Sequence, residues 1–196
     1  MPVDARQVKA LRDETGLPMM ECKRALEGAG GDPEKAKENL RKSGLKVADR
    51  KAGRETREGI IASYVHHNGR IAVLVELNCE TDFVARNAEF KAFARDVCMH
   101  IAWARPDCVS REQLDPALVA KEKEIVAATL TKVPEAKRDK AAEGKLAKTL
   151  YAQRVLLDQP FTKDETRTVG EALKDLVAKL RENATIRRFV RMELGE

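Results

Sequence analysis

The sequence predicts an α+β protein in which helices surround a small antiparallel sheet. Three observations predict this class: apolar residues recur at helical spacing over most of the chain, one segment alternates like a β-hairpin, and aromatic residues make up only 4%. A composition rich in Ala, Leu, Lys and Glu favours helices over a β-sandwich. The length of 196 residues fits one domain plus a small second one.

Three short helices are expected at the N-terminus. The first spans about Asp4–Glu14, and the second begins at Pro18, since proline is favoured at a first helical position. Asp32–Pro33 supplies an N-cap followed by proline for the third helix, which should end before Ser43–Gly44. A bundle this short has a small core, so we expect it to be marginally stable on its own.

A change of composition separates this bundle from the rest of the chain. Residues 46–58 are nearly all Lys, Arg, Ala, Gly and Glu, which indicates a basic, solvated linker, helical in part. β-branched and aromatic residues follow over 60–66, Asn68–Gly69 is a two-residue hairpin signal, and apolar residues alternate over 71–77. The predicted units are a three-helix domain at 1–45, the linker at 46–58, and an α+β core and dimerisation domain at 59–196.

More helices and one strand are expected after the hairpin. Apolar residues at 3.6-residue spacing predict an amphipathic helix over Phe90–Ile101. The segments that begin at Asp115–Pro116 and at Pro134 have few large apolar residues, so we expect a helical hairpin that projects from the core. Leu173–Leu180 marks a last helix, and Thr185–Met192 has the pattern of a closing strand.

Charge, hydropathy and cysteine usage limit the possible functions. The 37 Lys and Arg against 32 Asp and Glu give a net charge of +5, an excess that permits an acidic partner without requiring nucleic acid. No stretch approaches the roughly 18 apolar residues of a membrane span, and the first residues lack the apolar core of a signal peptide. The four cysteines show no paired spacing, which is typical of a reducing compartment. We expect a cytoplasmic protein that binds no membrane.

Few residues could support catalysis. His66 and His67 adjoin a strand end, where side chains alternate between faces and cannot chelate together; His100 is expected opposite the apolar stripe of its helix. No phosphate-binding glycine loop, GxSxG motif or metal-ligand spacing occurs, so we expect no enzyme activity, metal or cofactor. Cys22 beside Lys23 leaves a weaker alternative, a thiol enzyme, although Cys22 lies on an apolar helix face that favours burial.

Two basic segments raise the alternative of an RNA-binding protein. They are the linker and the arginines of the C-terminal tail, Arg187, Arg188 and Arg191. No aromatic residue is interleaved with these charges to stack on bases. A solvated basic face is the simpler interpretation, so no direct binding of nucleic acid is expected.

The turn after the hairpin admits two interpretations. It places an aromatic residue, Phe83, and an acid, Asp82, in a polar turn between a strand and a helix. In the structural interpretation Phe83 packs inward and Asp82 caps the following helix, since most aromatic side chains belong to cores. In the functional interpretation both side chains are presented to a partner.

Three sequence strings resemble the elongation factor Ts family. Residues 11–26 read LRDETGLPMMECKRAL, similar to the family's LRExTGAGMMDCKKAL, except that Leu17–Pro18 stands where Ala-Gly is usual and should stiffen that turn. Residues 75–87 read VELNCETDFVARN, which matches the family's ExNCxTDFVAxN almost letter for letter. Glu182–Asn183, followed by Ile186–Arg188, resembles the family's closing GENIxxRR.

The resemblance implies a fold and an activity. The family's N-terminal part resembles the three-helix ubiquitin-associated fold, and its core is an antiparallel sheet packed on helices. Longer members contain two core halves, so a homodimer is expected to supply the second half here. Members are guanine-nucleotide exchange factors that bind elongation factor Tu·GDP, displace Mg²⁺, and promote GDP release and GTP rebinding. The runner-up is a ubiquitin-associated-like adaptor or an RNA-binding protein.

The resemblance also implies which residues contact the partner. Those expected to reach the magnesium site of elongation factor Tu are Thr81, Asp82, Phe83 and Val84. Those expected to form an N-terminal anchor are Leu11, Arg12, Met19, Met20 and Lys23. Methionine would contribute adaptable packing to that anchor, and lysine a charge contact.

Overall fold

The three N-terminal helices form where the periodicity predicts them, apart from the end of the third. In the computed structural model, which describes residues 3–130 and 133–196, they are α1 (Ala5–Thr15), α2 (Met19–Gly28) and α3 (Pro33–Lys51). Pro18 is the N-cap of α2 rather than its first helical residue. The bundle core consists of Val8, Leu11, Cys22, Leu26, Ala29, Ala36 and Leu40.

The predicted end of α3 before Ser43–Gly44 is wrong. The helix continues to Lys51, so residues 46–51, assigned to the linker, are helical, and residues 52–57 connect α3 to the first strand. Gly44 is a packing position, because a Cβ atom there would lie 3.1 Å from Cβ of Ala178. Glycine therefore lets α3 approach its neighbour closely instead of ending the helix.

The rest of the chain forms the α+β core that the sequence predicts, with additional short elements. Its helices and strands are β1 (Glu58–Val65), β2 (Ile71–Cys79), α4 (Asp82–Ala85), α5 (Ala88–Ala104), α6 (Pro116–Thr129), α7 (Glu135–Leu146), α8 (Ala152–Arg154), β3 (Pro160–Phe161), β4 (Asp164–Thr168), α9 (Val169–Leu180) and β5 (Ala184–Glu193). A π-helical turn joins α7 to α8. The short ribbon of β3 and β4 is absent from the sequence-based prediction.

The main sheet has the order β1-β2-β5, and both pairings are antiparallel. The predicted hairpin and closing strand are therefore confirmed, although the hairpin loop is longer than two residues. The backbone N–H of His66 donates to the carbonyl oxygen of Ile71 at 2.8 Å, and residues 67–70 form the turn. Because β2 is central, β1 and β5 are both edges.

One face of this sheet is covered by helices. Val73, Val75 and Leu77 of β2 pack in one cluster with apolar residues of α5 and α9. The periodicity of α5 and α9 that the sequence shows is the periodicity of this buried face. The other face of the sheet carries exposed side chains.

Helix α3 belongs to both parts of the molecule. Ala36 and Leu40 lie in the bundle core, whereas Ala48 lies in the main core together with residues of α9. Helix α3 therefore crosses residue 45, the first of the two predicted domain boundaries. The division of the chain into units at residues 45 and 58 stays a prediction.

Helices α6 and α7 form a hairpin with a cluster of its own. Its buried residues are separate from the main core and include Val126, Leu146, Leu150 and Tyr151. Asp115 caps α6 by accepting from the backbone N–H of Ala117 at 2.9 Å. The hairpin thus lies outside the main core, as its scarcity of large apolar residues predicts.

Within the described residues, no helix is both long and apolar enough to cross a membrane.

Candidate functional site

The short helix α4 exposes its first two side chains, Asp82 and Phe83, and buries the next two. Phe83 is 79% exposed, whereas Val84 and Ala85 are buried in the main core. Thr81 is the N-cap, and its hydroxyl oxygen accepts from the backbone N–H of Val84 at 3.4 Å. The turn is therefore attached to the core on one side and carries a phenyl ring into solvent on the other.

The structural interpretation of Phe83 and Asp82 is wrong on both counts. Phe83 does not pack inward, and Asp82 is not a cap: Asn87 caps the following helix α5, and Thr81 caps the short helix α4. Asp82 instead forms an ion pair with Arg86 one turn later, and both side chains are mostly exposed. An exposed pair of this kind contributes little to stability, so the carboxylate of Asp82 remains available for another contact.

Glu182 holds the N-cap of α4 from across the fold. Its Oε1 accepts from the hydroxyl of Thr81 at 2.7 Å, and its Oε2 accepts from the backbone N–H of Thr81 at 3.0 Å. Hydrogen bonds to a carboxylate are shorter and stronger than those between neutral groups. Two such bonds to one residue fix both the backbone and the side chain of Thr81.

The neighbouring residue, Asn183, secures the same segment from the other side. Its backbone N–H donates to Oε1 of Glu80 at 2.6 Å, and its buried side-chain amide donates to the carbonyl oxygen of Arg54 at 2.7 Å. The Asn183 N–H lowers the pKa of the Glu80 carboxyl, and the guanidinium of Arg54 adds to this effect against the opposing effect of burial. Glu80 is therefore charged at neutral pH.

The predicted N-terminal anchor contains four exposed residues and one buried residue. Met19 and Met20 are 47% and 59% exposed on the first turn of α2, and Lys23 and Arg12 are exposed as well. Leu11, by contrast, is 2% exposed and belongs to the bundle core. Leu11 therefore supports the anchor from within.

The anchor and the Phe83 turn are connected through the end of α9. Arg181 forms an ion pair with Glu21, the residue that follows Met20. Lys51 at the end of α3 donates to the carbonyl oxygen of Arg181 at 2.6 Å. The next residue along the chain is Glu182, which holds the turn.

The cysteines of the core are suited to packing. Burial raises the pKa of the Cys79 thiol and of the Cys98 thiol to about 11 in each case, so both remain protonated at neutral pH. The Cys79 thiol donates to the carbonyl oxygen of Thr81 at 3.1 Å. Cys22 is fully buried in the bundle, which confirms its interpretation as a packing residue.

The histidines differ from expectation. His100 is buried, not opposite the apolar stripe: it forms a 2.9 Å hydrogen bond with Oε1 of Gln159, and its pKa is lowered by burial. The rings of His66 and His67 have centroids 4.2 Å apart rather than facing opposite ways, because both residues lie beyond the end of β1. Among the described residues, no three His, Cys, Asp or Glu side chains are placed to hold a metal ion.

The arginines of the C-terminal tail are engaged by carboxylates. Arg188 and Arg187 both contact Glu76, at 2.7 and 3.4 Å. The side chain of Arg191 is only 8% exposed and pairs with Glu193, so it is not part of a solvated basic face. These pairs reduce the positive charge that a nucleic acid could meet.

The open face of the main sheet is a second exposed apolar region. Leu74 of β2 lies directly opposite Val190 of β5, and Ala72 lies between Val65 and Met192. The large apolar side chains exposed there are Ile61, Val65, Leu74, Val190 and Met192. They extend across all three strands.

Sequence reasoning missed the bracing residues of the Phe83 turn. Glu182 and Asn183 belong to the family-like string near the C-terminus, which by itself assigns them no role. They lie about a hundred residues from Thr81 along the chain, and no local periodicity signals such a contact. A polar pair directly before the closing strand is the one signal that could have directed attention to them.

Comparison with known proteins identifies the family. A family model described as Elongation factor TS matches residues 33–196. The chain is 52% identical over 196 residues to Elongation factor Ts of Anaeromyxobacter sp., covering 99% of this chain and 89% of that protein. It is 50% identical over 196 residues to Elongation factor Ts of Carboxydothermus hydrogenoformans, covering 99% and 90% of the two chains. With Elongation factor Ts of Fervidobacterium nodosum it shares 49% identity over 198 residues and the full length of both.

An α+β protein that presents a braced aromatic turn and an exposed methionine pair is suited to act by contact with another protein. With the comparisons, this class becomes specific: the chain belongs to the elongation factor Ts family. It is a nucleotide exchange factor of translation elongation. The resemblance drawn from the sequence strings is thereby confirmed.

Proposed function

We propose that this chain binds elongation factor Tu·GDP, displaces Mg²⁺ with the turn Thr81–Val84, and so promotes GDP release and GTP rebinding. The observation that carries the proposal is Phe83, 79% exposed on a turn whose next two residues are buried in the core. Isolated apolar residues on a surface are common. Phe83 differs from these because its turn is restrained by the core, by Glu182 and by Asn183. A restrained turn that exposes a phenyl ring is suited to binding a partner.

The residue types suit a magnesium site in a GTPase. Mg²⁺ requires near-ideal octahedral geometry, so a small displacement of the backbone that supports its ligands weakens the binding of the ion. The Phe83 ring, held by a rigid base, can produce that displacement. The exposed carboxylate of Asp82 can disturb the ion's ligands electrostatically. The factor changes no covalent bond itself, so it needs neither a catalytic residue nor a cofactor.

Exchange then follows from reciprocal coupling between the two ligands of the GTPase. If the factor weakens nucleotide binding, the nucleotide weakens factor binding by the same ratio. A typical coupling of about 1–3 kcal/mol corresponds to roughly 5–150-fold, so a strong exchange factor needs several contacts that act together. GTP rebinding afterwards releases the factor.

The N-terminal bundle, which we infer to be ubiquitin-associated-like, supplies part of these contacts. Met19 and Met20 offer long, adaptable side chains at the start of α2. Arg12 and Lys23 supply charge, and Leu11 keeps the bundle folded. We expect these contacts to raise the affinity for elongation factor Tu without displacing the magnesium ion.

We further propose that the open face of the main sheet pairs with a second copy of this chain. The patch of exposed apolar side chains crosses three strands, and both edge strands are uncovered within the chain. A two-fold arrangement places the same patch against itself and protects the sheet from non-specific association. Sedimentation at micromolar concentration should show a dimer, and Leu74→Glu should give a folded monomer; a wild-type species of 21.9 kDa alone contradicts the proposal.

The proposed activity is tested by release of labelled GDP from elongation factor Tu, the partner expected in the cytoplasm. Adding this protein should accelerate the release in proportion to its concentration until the effect saturates. No acceleration, together with salt-dependent binding to RNA, would support the RNA-binding alternative instead. If the protein neither accelerates GDP release nor binds elongation factor Tu or RNA, the adaptor alternative stays in place.

A further inference from the structure

Two consecutive residues that follow α9 lie between the two proposed contact regions: Glu182 contacts Thr81 of the Phe83 turn, and Arg181 contacts Glu21, next to Met20 of the anchor. We infer that Glu182 is a positioning residue for nucleotide exchange, which holds the turn Thr81–Val84 so that Phe83 is presented in one orientation. With Arg181 before it, Glu182 also fixes the spacing between this turn and the N-terminal anchor. The inference rests on the proposed function of Phe83.

Glu182 completes the hydrogen bonding of Thr81. The Thr81 hydroxyl donates its proton to Glu182 while its oxygen accepts from the backbone N–H of Val84. The Thr81 backbone N–H donates to the second carboxylate oxygen, and the Thr81 carbonyl oxygen accepts from the N–H of Ala85 at 3.2 Å. Phe83 is two residues away on a helix of four residues. The orientation of the cap therefore determines the direction of the ring.

The position of Glu182 is itself fixed by the residues on either side of it, Arg181 and Asn183. Arg181 adopts a left-handed backbone conformation, with φ of +62°, at the C-cap of α9, which turns the chain sharply toward Thr81. Few non-glycine residues adopt this conformation. On the other side, the buried amide of Asn183 donates to the carbonyl oxygens of Ala52 and Arg54. The segment is thus anchored before and after Glu182.

The same segment reaches the anchor through α2. The guanidinium of Arg181 pairs with Glu21, next to Met20, and its carbonyl oxygen accepts from Lys51. The path from Met20 to Phe83 therefore runs through two adjacent residues, Arg181 and Glu182. A fixed spacing lets one partner surface engage both regions without a further ordering cost.

Orientation and stability are separable at this position. Burial of Val84 and Ala85 already attaches α4 to the core, so losing the carboxylate should leave the turn folded while Thr81, and with it the orientation of Phe83, becomes less fixed. Misplacing a reacting group by about 1 Å costs about a hundredfold in well-studied enzymes. A displaced ring should likewise lose rate while the complex still forms.

The test measures the rate of GDP release against factor concentration for Glu182→Ala, Glu182→Gln and a control. Glu182→Ala should lower the saturating rate about tenfold, which corresponds to about 1.4 kcal/mol, with little change in the half-saturating concentration. Glu182→Gln retains one acceptor oxygen and should fall between the wild type and Glu182→Ala. The control is Glu143→Ala in α7, which removes an exposed carboxylate that pairs with Arg111, outside both proposed contact regions, and should leave the rate unchanged.

A double-mutant cycle with Phe83→Ala separates this inference from the proposed function. If Glu182 acts through Phe83, then Glu182→Ala has no further effect in the Phe83→Ala background. If Phe83→Ala leaves the saturating rate unchanged, the proposed role of the turn fails. If Phe83→Ala slows release but Glu182→Ala does not, or if the two losses multiply, the positioning role is overturned. Should Glu182→Ala lower the unfolding temperature, the intermediate rate expected of Glu182→Gln decides the question: a wild-type rate there overturns the inference.

Discussion

The two proposed contact regions present apolar side chains in different ways. Phe83 is a rigid ring on a turn that the main core and Glu182 restrain. Met19 and Met20 are flexible side chains at the start of α2, whose N-cap residue, Pro18, makes no side-chain capping hydrogen bond. This difference suits the proposed roles of the two regions: displacement of the ion depends on geometry and favours a braced ring, whereas anchoring depends on affinity and favours adaptable side chains.

The cores beneath the two regions differ as well. Seven buried residues form the bundle core, whereas the core under α4 joins β2, α4, α5 and α9. Small cores provide little stability to spare. Changes beneath the anchor should therefore unfold it, while changes on the braced turn should alter function first.

The largest expected effect sharpens this contrast within the anchor itself. Leu11→Ala removes a buried side chain from the small bundle and should cost about 2–5 kcal/mol of unfolding free energy. Binding to elongation factor Tu should weaken because the anchor loses its support. Arg12→Ala, the exposed neighbour, should change stability by no more than about 0.5 kcal/mol. Thermal unfolding of both variants checks the prediction, and equal stability of the two would contradict it.

A smaller effect is expected from the exposed methionines. The double change Met19→Ala and Met20→Ala should raise the half-saturating factor concentration about tenfold, equivalent to about 1.4 kcal/mol of binding free energy, at an unchanged saturating rate. The reason is that these side chains contribute contact without touching the magnesium site. Titration of GDP release gives both quantities. A reduced saturating rate with unchanged half-saturation would reverse the roles assigned to the two regions.

Asp82 should act in the same direction as Phe83, but more weakly. Asp82→Ala removes a charge that acts at a distance through solvent, so the saturating rate should fall about threefold, or roughly 0.7 kcal/mol. Arg86→Ala is the matched control, because it removes the other half of the ion pair and leaves the carboxylate in place. Slower release with Arg86→Ala than with Asp82→Ala would show that the pair, and not the carboxylate, matters.

The smallest effect concerns the bracing of the turn at acid pH. The folded-state pKa of Glu80 lies below its ordinary value of 4.5, chiefly because of the Asn183 N–H. A lowered pKa means that Glu80 contributes stability above pH 4.5 and loses it as the pH falls through the folded-state pKa. The difference in unfolding temperature between wild type and Glu80→Gln should thus be present at pH 7 and shrink below pH 4.5. A difference that stays constant over this range would show that the charge of Glu80 contributes nothing.

Local sequence signals predict most of the secondary structure. The cap Asp32 locates the start of α3, and apolar spacing locates most of α5, whose cap, Asn87, was not predicted. Alternation locates β2 and β5. Each of these signals depends on residues within a few positions of one another, which is why a single sequence contains them.

Some of the incorrect predictions concern local details of caps and turns, such as Pro18 and Asp82, and others involve distant parts of the chain. Gly44 looks like a helix end, but Ala178 packs against it and the helix continues. His100 lies seven residues after Phe93 and three after Val97, so helical spacing already places it on the buried face. Its hydrogen-bond partner there, Gln159, lies 59 residues later in the chain. Tertiary contacts of this kind have no local signature.

The candidate site was predictable as a set of residues but not as an arrangement. Family-like strings contain both proposed contact regions, yet they do not separate exposed residues from buried ones. Val84 and Leu11 are buried, while Phe83 and Met20 are exposed. The distinction requires the packing of α4 and of the bundle, and the role of Glu182 requires the return of the chain after α9.

The saturating rate of GDP release with Phe83→Ala, measured with thermal unfolding on the same preparation, distinguishes a Phe83 ring that contacts the partner from one that belongs to the core. We expect a rate at least about tenfold lower than wild type, with the unfolding free energy changed by less than about 1 kcal/mol, because the ring is exposed in the free protein. A loss of about 3–5 kcal/mol in stability, the usual cost of emptying a buried phenylalanine site, together with a normal rate per folded molecule, would contradict this expectation.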